Sequence, residues 1–269
     1  MRVGSPRVWV GAVLLLELEK LTVRFGGLTA LADVDLRVEP GALLALIGPN
    51  GAGKTTVFNV ITGVYPPSAG HVRLLGREIS GLAPHAIARR GVARTFQNIR
   101  LFRGMSALDN VRAALAGPRR SGLGDVWRGR GWLARERRAE AQARELLERL
   151  GLAQDAHTDA ETLSYGEQRR LEIARALATG PELLLLDEPA AGMNPAEKQD
   201  LRELVRRLRR EFGITVVLID HDVQFVMNLC DRIAVLDHGE KIAEGAPEAV
   251  RRDPQVIEAY LGDAGGGTP

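Results

Sequence analysis

The sequence contains a single cysteine and no long hydrophobic run. Cys230 is the only cysteine among 269 residues, so the chain cannot form an internal disulfide, which fits a reducing compartment. Its apolar neighbours predict a buried, unreactive thiol. No stretch approaches the about 18 uninterrupted apolar residues of a membrane-spanning helix. We therefore expect a soluble or peripheral protein.

The chain also lacks a strong excess of charge of either sign. Lys plus Arg number 36 and Asp plus Glu number 34, and this net charge of +2 argues against a general affinity for nucleic acid. The charge is unevenly distributed, because residues 112–144 contain nine arginines, no lysine and three acids. This stretch is either a solvated surface or a site near anionic lipid headgroups, where each basic residue contributes about 1 kcal/mol.

No cleavable leader is predicted at the N-terminus. Arg2 and Arg7 precede an apolar run over residues 8–16, which is the order found in a secretory signal. The run has nine residues, too few to span a bilayer, and Glu17 and Glu19 follow it without a small-x-small cleavage site. We expect residues 1–14 to be an appendage that leads into the first strand.

A glycine-rich loop stands between a predicted buried strand, residues 43–47, and a predicted helix. The loop consists of Gly48, Pro49, Asn50, Gly51, Ala52, Gly53, Lys54, Thr55 and Thr56. Glycines permit positive φ, so successive backbone N–H groups can bind phosphate oxygens at the start of the helix. Lys54 can reach the β- and γ-phosphates and the Thr55 hydroxyl can bind Mg²⁺. The chain is expected to bind a nucleoside triphosphate.

Two acids follow the apolar run Leu183–Leu186. Four consecutive leucines predict a strand that is covered on both faces, as in a parallel sheet. Asp187 at its end can hold Mg²⁺ through water. Because side chains alternate at the end of a strand, Glu188 points elsewhere and can act as general base toward an attacking water.

Polar residues follow two further predicted strands. Gln97 ends the strand predicted over residues 92–97, and His221 follows the strand predicted over residues 214–219. Gln97 alone is compatible with an ordinary turn. His221 lies between Asp220 and Asp222, a pattern compatible with a surface turn or a metal-binding cluster.

Residues Leu163–Gln168 combine a helix start with a candidate anion site. Ser164 and Glu167 have the spacing of a capping box. Gly166, in the first turn, allows close approach to the backbone. A serine, exposed N–H groups and a helix N-terminus together can bind an anion.

With these motifs the sequence resembles the ATP-binding subunits of ABC transporters over about residues 15–262. Leu163–Gln168 matches the signature motif of that family, with Tyr165 where glycine is commoner. The resemblance implies an α/β fold: a P-loop NTPase core with a mostly parallel sheet, flanking helices and an antiparallel β subdomain. A helical ABC subdomain would be inserted at about residues 98–165. Residues 263–269 are expected to form a disordered tail.

The resemblance also implies roles for single residues. ATP and Mg²⁺ would be bound by the phosphate loop, with Thr55, Gln97 and Asp187 at the metal. Glu188 would be the catalytic base, and Gln97 and His221 would assist it at the water and at the γ-phosphate. Phe25 would stack on adenine.

In the family, two subunits pair head to tail, so the signature motif would act on the ATP of the partner subunit. Ser164, Tyr165, Gly166 and Glu167 would supply that contact. One departure concerns the loop after Glu188, where the family often has an aspartate. This sequence has Asn194 instead, which can simply cap the next helix.

Residues 94–97, Tyr165 and residues 189–195 are most similar to the ATPases of branched-chain amino-acid importers. This implies ATP hydrolysis that powers import, transmembrane permease subunits, a second ATP-binding subunit and, indirectly, a periplasmic substrate-binding protein. The subunit would lie on the cytoplasmic face of the inner membrane, without nucleic-acid partners. The ATPases of lipopolysaccharide export and of urea or amide import remain alternatives, as does a soluble ABC ATPase.

Overall fold

The computed structural model describes residues 14–116 and 130–264, which form two compact units. The sheet unit comprises residues 14–94 and 182–264, and the helical unit comprises residues 95–116 and 130–181. Residues 1–13, 117–129 and 265–269 lie outside the described residues. They include most of the predicted appendage, part of the arginine-rich stretch over residues 112–144 and most of the predicted tail.

The sheet unit contains an antiparallel and a mostly parallel sheet. The strands are β1 Leu16–Phe25, β2 Leu28–Val38, β3 Leu43–Ile47, β4 Ala69–Leu74, β5 Arg77–Glu78, β6 Val92–Arg94, β7 Leu183–Asp187, β8 Thr215–Ile219, β9 Arg232–Asp237 and β10 Glu240–Gly245. The antiparallel sheet has the order β2-β1-β4-β5, and the other sheet has the order β10-β9-β3-β8-β7-β6. In the latter only β10 pairs antiparallel with its neighbour. The predicted α/β fold class is confirmed.

The helices flank the parallel sheet or form the helical unit. They are α1 Lys54–Ile61, α2 Pro84–Ala88, α3 Ala107–Ala116, α4 Arg130–Arg149, α5 Tyr165–Ala178, α6 Pro195–Phe212, α7 Val223–Met227, α8 Pro247–Val250 and α9 Pro254–Ala264. Helices α3, α4 and α5 belong to the helical unit. Within the part of the chain that the structure covers, no helix has the length and apolarity needed to cross a bilayer.

Three neighbouring strands bring the phosphate loop, Asp187, Glu188 and His221 to one edge of the parallel sheet. All five residues of β3, of β7 and of β8 are buried, as their mostly apolar sequences predict. Ile219 at the end of β8 is in register with Leu46 of β3 and with Asp187 of β7. The carboxyl ends of these strands therefore meet, which is where open α/β sheets bind ligands.

In the helical unit, α3 and α5 each begin at a serine that caps the helix. Ser106 caps α3, because its hydroxyl accepts from the Asp109 N–H at 3.1 Å. Apolar residues on one face of α4 are buried, among them Leu146, Leu147 and Leu150. Helix α4 begins at Arg130.

Candidate nucleotide site

The phosphate loop, residues 48–56, connects the carboxyl end of β3 to α1. Gly48 has a φ of 149° and Gly53 a φ of 99°. A Cβ at Gly48 would lie 2.0 Å from the Leu236 carbonyl oxygen, and one at Gly53 would lie 2.6 Å from a Leu31 methyl. Both positions require glycine because of backbone conformation and space, and this is why the motif was predictable from spacing alone.

Lys54 holds its charge inside this loop. Its Nζ donates to the carbonyl oxygens of Gly48 at 2.6 Å and of Pro49 at 2.7 Å, and the residue is buried. A buried ammonium is tolerated because these carbonyls replace water. The cation thus lies where the loop and the N-terminus of α1 meet, as an anionic phosphate chain would require.

The oxygen donors at this edge fit Mg²⁺ when phosphate completes the set. Thr55 is exposed in the first turn of α1, and Asp187 ends β7. Hydroxyl and carboxylate oxygens are the donors that Mg²⁺ prefers, and it usually takes further oxygens from phosphate. In the described residues no group of three or more His, Cys, Asp or Glu side chains could hold a metal alone.

Asp187 is held by an arginine that the sequence analysis did not select. Arg94 Nη2 lies 2.8 Å from Asp187 Oδ2, and both side chains are nearly buried. Arg94 Nη1 also donates to Asn59 Oδ1 of α1 at 2.8 Å. The guanidinium therefore fixes the orientation of the Asp187 carboxylate. An arginine within the apolar sequence of β6 was the available signal.

Glu188 and His221 form a close pair beyond the ends of β7 and β8. His221 Nε2 lies 2.6 Å from Glu188 Oε1. Glu188 has a φ of 46°, and its N–H donates to the Ile219 carbonyl at 2.8 Å. A left-handed backbone at a residue other than glycine is strained, and such residues concentrate at functional sites. Strand alternation, assumed from the sequence, does not describe Glu188, because β7 ends at Asp187.

The two aspartates beside His221 have structural partners. Asp220 is buried and accepts from the N–H groups of Ala190 at 3.0 Å and Asp222 at 2.9 Å. Burial raises the pKa of Asp220, although these two N–H groups oppose the shift. Asp222 caps α7 and pairs with Lys198 at 2.6 Å. The metal-cluster interpretation is therefore wrong for these residues.

Phe25 lies at the end of β1, where a Gly26–Gly27 turn leads into β2. Its side chain is 44% exposed, and its ring makes an edge-on contact with Tyr65 at a centroid distance of 5.2 Å. The exposed remainder of the ring is available for stacking. Tyr65 was not among the predicted site residues.

The predicted signature residues begin α5 in the helical unit. Ser164 is the N-cap, and its hydroxyl and the Glu167 carboxylate form the predicted capping box. Hydrogen bonds from Ser164 lower the pKa of Glu167. Gly166 is buried, whereas Tyr165 is 43% exposed. The first turn of α5 thus presents Ser164 and Tyr165 at an accessible helix N-terminus.

The loop that carries Gln97 is held by side chains of α5. Arg169 donates to the carbonyl oxygens of Phe96 at 2.7 Å and Gln97 at 2.9 Å. Glu172 accepts from the Phe96 N–H at 3.1 Å. These contacts replace strand pairing, so the strand predicted over residues 92–97 ends at Arg94 instead. Sequence reasoning missed Arg169 and Glu172, although their i,i+3 spacing on an otherwise apolar helix face was a signal.

Asn194 acts as a helix cap. Its side chain accepts from the N–H groups of Ala196 at 2.9 Å and Glu197 at 3.0 Å, and Pro195 occupies the first turn of α6. This explains the asparagine without a charge.

Comparisons with known proteins agree with this geometry. Residues 31–191 match the family model described as "ABC transporter", and residues 240–265 match "Branched-chain amino acid ATP-binding cassette transporter". The chain is 49% identical to the high-affinity branched-chain amino acid transport ATP-binding protein BraF of Pseudomonas aeruginosa, over 93% of this chain and 98% of BraF. It is 47% identical to LivG of Escherichia coli, a protein of the same description, over 93% and 98% of the two chains.

More distant relatives share the fold. The lipopolysaccharide export ATP-binding protein LptB of Escherichia coli is 37% identical over 91% of this chain and 96% of LptB. The crystal structure of the ABC transporter cassette MJ1267 in its ADP conformation superimposes with a TM-score of 0.82 at 34% identity, covering 93% of this chain and 99% of that one. The chain belongs to the ABC transporter family, as one of its ATP-binding cassettes.

Proposed function

We propose that this chain hydrolyses ATP to power an importer of branched-chain amino acids. The observation that carries the proposal of hydrolysis is the Glu188–His221 pair, 2.6 Å apart, at the sheet edge where the phosphate loop begins. Similarity along nearly the whole length of BraF and LivG supports the transported class. LptB is less similar, so lipopolysaccharide export is the second choice.

The sheet unit would bind the nucleotide and supply the base. Backbone N–H groups of residues 50–56 and the Lys54 ammonium bind the phosphates, and Phe25 stacks on adenine. Thr55 and Asp187 would hold Mg²⁺, which neutralises charge on the phosphates when bound. The resemblance to the family assigns Gln97, in the helical unit, to the same ion.

Glu188 accepts the proton of the attacking water. The base must lie within hydrogen-bond reach of that water, and His221 holds the Glu188 carboxylate in one orientation. His221 also faces the γ-phosphate in this proposal, because it lies beyond β8 next to Glu188. Because a second side chain holds the base, a larger fraction of its orientations is productive, which favours the chemical step.

The helical unit would act on the partner's nucleotide. In a head-to-tail pair, the Ser164 hydroxyl and the N–H groups at the start of α5 contact the γ-phosphate bound by the second ATP-binding subunit, with Tyr165, Gly166 and Glu167 forming the rest of the turn. The helix N-terminus supplies partial positive charge for this contact. Closure therefore depends on ATP, and hydrolysis reopens the pair.

The remaining partners follow from import. Closure would be passed through the Gln97 loop to transmembrane permease subunits, which receive the amino acid from a periplasmic binding protein. The subunit would therefore work at the cytoplasmic face of the inner membrane. Whether the second ATP-binding subunit is a like or an unlike chain is an outcome of the experiment below.

The test is purification of the tagged Glu188→Gln chain from its native membrane with ATP, and without nucleotide as the control. Two amino-acid-type permeases and a sister ATPase, recovered only with ATP or more strongly with it, would support the proposal. Permeases of lipopolysaccharide export would redirect it. Recovery of no membrane protein in either sample would exclude transport.

A further inference from the structure

Arg169 is a completely buried arginine in the first turns of α5. Arginine is almost never fully buried unless its charge is paired. Arg169 has 0% exposure of its side chain and pairs with Glu172 at 2.9 Å. An ion pair within one helix explains its charge but not its position under the signature turn.

The guanidinium and its carboxylate partner together hold the main chain of the Gln97 loop. Arg169 Nη1 donates to the Phe96 carbonyl, and Nη2 donates to the Gln97 carbonyl. Glu172 accepts from the Phe96 N–H. Three backbone groups of two successive residues of this loop are therefore fixed by two side chains of α5.

The same guanidinium is bound to the signature motif. Arg169 Nη2, which donates to the Gln97 carbonyl, also donates to the Tyr165 hydroxyl at 3.0 Å. The Arg169 guanidinium lies 5.7 Å from the centre of the Tyr165 ring. A glycine at position 165 would offer neither contact. Tyr165 is partly exposed at the start of α5, so a binding partner can reach its ring.

We propose that Arg169 is a positioning residue that couples the signature turn to the Gln97 loop through the Tyr165 hydroxyl. The coupling rests on the proposed function, in which Gln97 contacts Mg²⁺ and Tyr165 meets the partner's nucleotide. Arg169 Nη2 makes two hydrogen bonds, one to the Tyr165 hydroxyl and one to the Gln97 carbonyl. A displacement of the Tyr165 ring changes the first bond and thereby moves the guanidinium that makes the second. Engagement of the signature turn is thereby transmitted to Gln97 within one chain.

The experiment uses the full-length chain as wild type, Tyr165→Phe, Arg169→Lys and the double variant. Binding of a fluorescent ATP analogue and ATP hydrolysis are each measured against Mg²⁺ concentration. Binding is measured on protein too dilute to dimerise. Any effect on Mg²⁺ then comes from the Tyr165–Arg169–Gln97 connection within one chain and not from contacts between two subunits. Arg144→Lys is the control, since Arg144 forms an exposed pair with Glu140 in the same unit.

Each single variant is expected to raise the half-saturating Mg²⁺ concentration about three- to tenfold, as for loss of one typical hydrogen bond. The rate constant kcat should fall more than KM for ATP rises. The double variant should resemble a single one, because both changes break the same bond. The control should match the wild type.

Two results would overturn the coupling. One is an unshifted Mg²⁺ dependence in Tyr165→Phe, which keeps the ring and should fold even if Arg169→Lys does not. The other is full additivity in the double variant. A wild-type chain that neither binds the analogue nor hydrolyses ATP would instead remove the proposed function and the coupling with it.

Discussion

The two units each contain a buried arginine, and the two arginines act on different parts of the chain. In the sheet unit, Arg94 binds side chains, the carboxylate of Asp187 and the amide of Asn59. In the helical unit, Arg169 binds main-chain carbonyls of the Gln97 loop. The sheet unit thus fixes the orientation of an acid on a rigid strand. The helical unit fixes the path of the Gln97 loop, which lies outside the strands.

This difference predicts where each kind of substitution should act. Changes at the sheet edge should alter chemistry or global stability, since the strands there are buried on both faces. Changes around α5 should alter the response to nucleotide with a smaller effect on folding.

The chemistry is expected to reside in the sheet unit, and Glu188→Gln tests this directly. We expect kcat for ATP hydrolysis to fall about 10²–10⁴-fold, as for loss of a general base, with ATP binding retained. Steady-state hydrolysis and nucleotide titration measure the two quantities. Glu203→Gln, on the exposed face of α6, is the control. Normal turnover in Glu188→Gln would mean that another group removes the proton.

Arg94→Met tests whether the sheet unit depends on its buried ion pair. Removing Arg94 takes its charge away from the nearly buried Asp187 carboxylate, so the free energy of unfolding should fall by about 3–5 kcal/mol. The double variant Arg94→Met/Asp187→Asn should recover part of this loss. Urea unfolding followed by circular dichroism measures both, with Arg73→Met in an exposed pair as control. Equal losses in Arg94→Met and Arg73→Met would contradict the special role of this pair.

The two capping boxes separate local stability from nucleotide response. Asn194→Ala in the sheet unit and Ser164→Ala in the helical unit should each lower the free energy of unfolding by about 1 kcal/mol through loss of a cap. In the Glu188→Gln background, only Ser164→Ala should also weaken ATP-dependent dimerisation, measured by analytical ultracentrifugation. If Asn194→Ala weakened dimerisation equally, the signature turn would not be distinguished from an ordinary helix start.

The smallest expected effect is a pH dependence from Glu172 in the helical unit. Burial raises the pKa of Glu172, against the Phe96 N–H and the Arg169 charge, which lower it. A raised pKa means that the folded state binds the proton more tightly. The resulting stability is present below the ordinary value of 4.5 and is lost as pH rises through the folded pKa.

Relative to Glu172→Gln, the wild type should therefore become less stable as pH rises above the ordinary value of 4.5. Unfolding in denaturant at each pH measures the difference between the two chains. A difference that grew in favour of the wild type over this range would mean that Arg169 outweighs burial.

The sequence was sufficient to predict residues whose type is decided by the local backbone, at a tight turn, at the end of a strand or at the start of a helix. The glycines of the phosphate loop are required by backbone conformation, Asp187 ends an apolar strand, and Ser164 and Asn194 begin helices. The same reasoning could not find Arg94 or Arg169, whose partners lie 93 and 73 residues away. Their chemistry exists only after the fold brings these segments together.

Two errors have the same physical origin. The strand predicted through Gln97 stops at Arg94 because Glu172 and Arg169, rather than a neighbouring strand, bind the main chain of Phe96. Glu188 was treated as part of an alternating strand, but its left-handed conformation depends on the Ile219 carbonyl in β8. Apolar patterning does not encode such tertiary contacts.

The left-handed backbone at Glu188 also has an evolutionary consequence. Glycine at this position would relieve the strain, worth about 1 kcal/mol, and would leave the phosphate loop untouched. Selection for thermal stability alone would therefore favour glycine at position 188. The resulting protein would be more stable and would still bind ATP, but it would no longer hydrolyse it. Selection for ATP hydrolysis is what retains the strained residue Glu188.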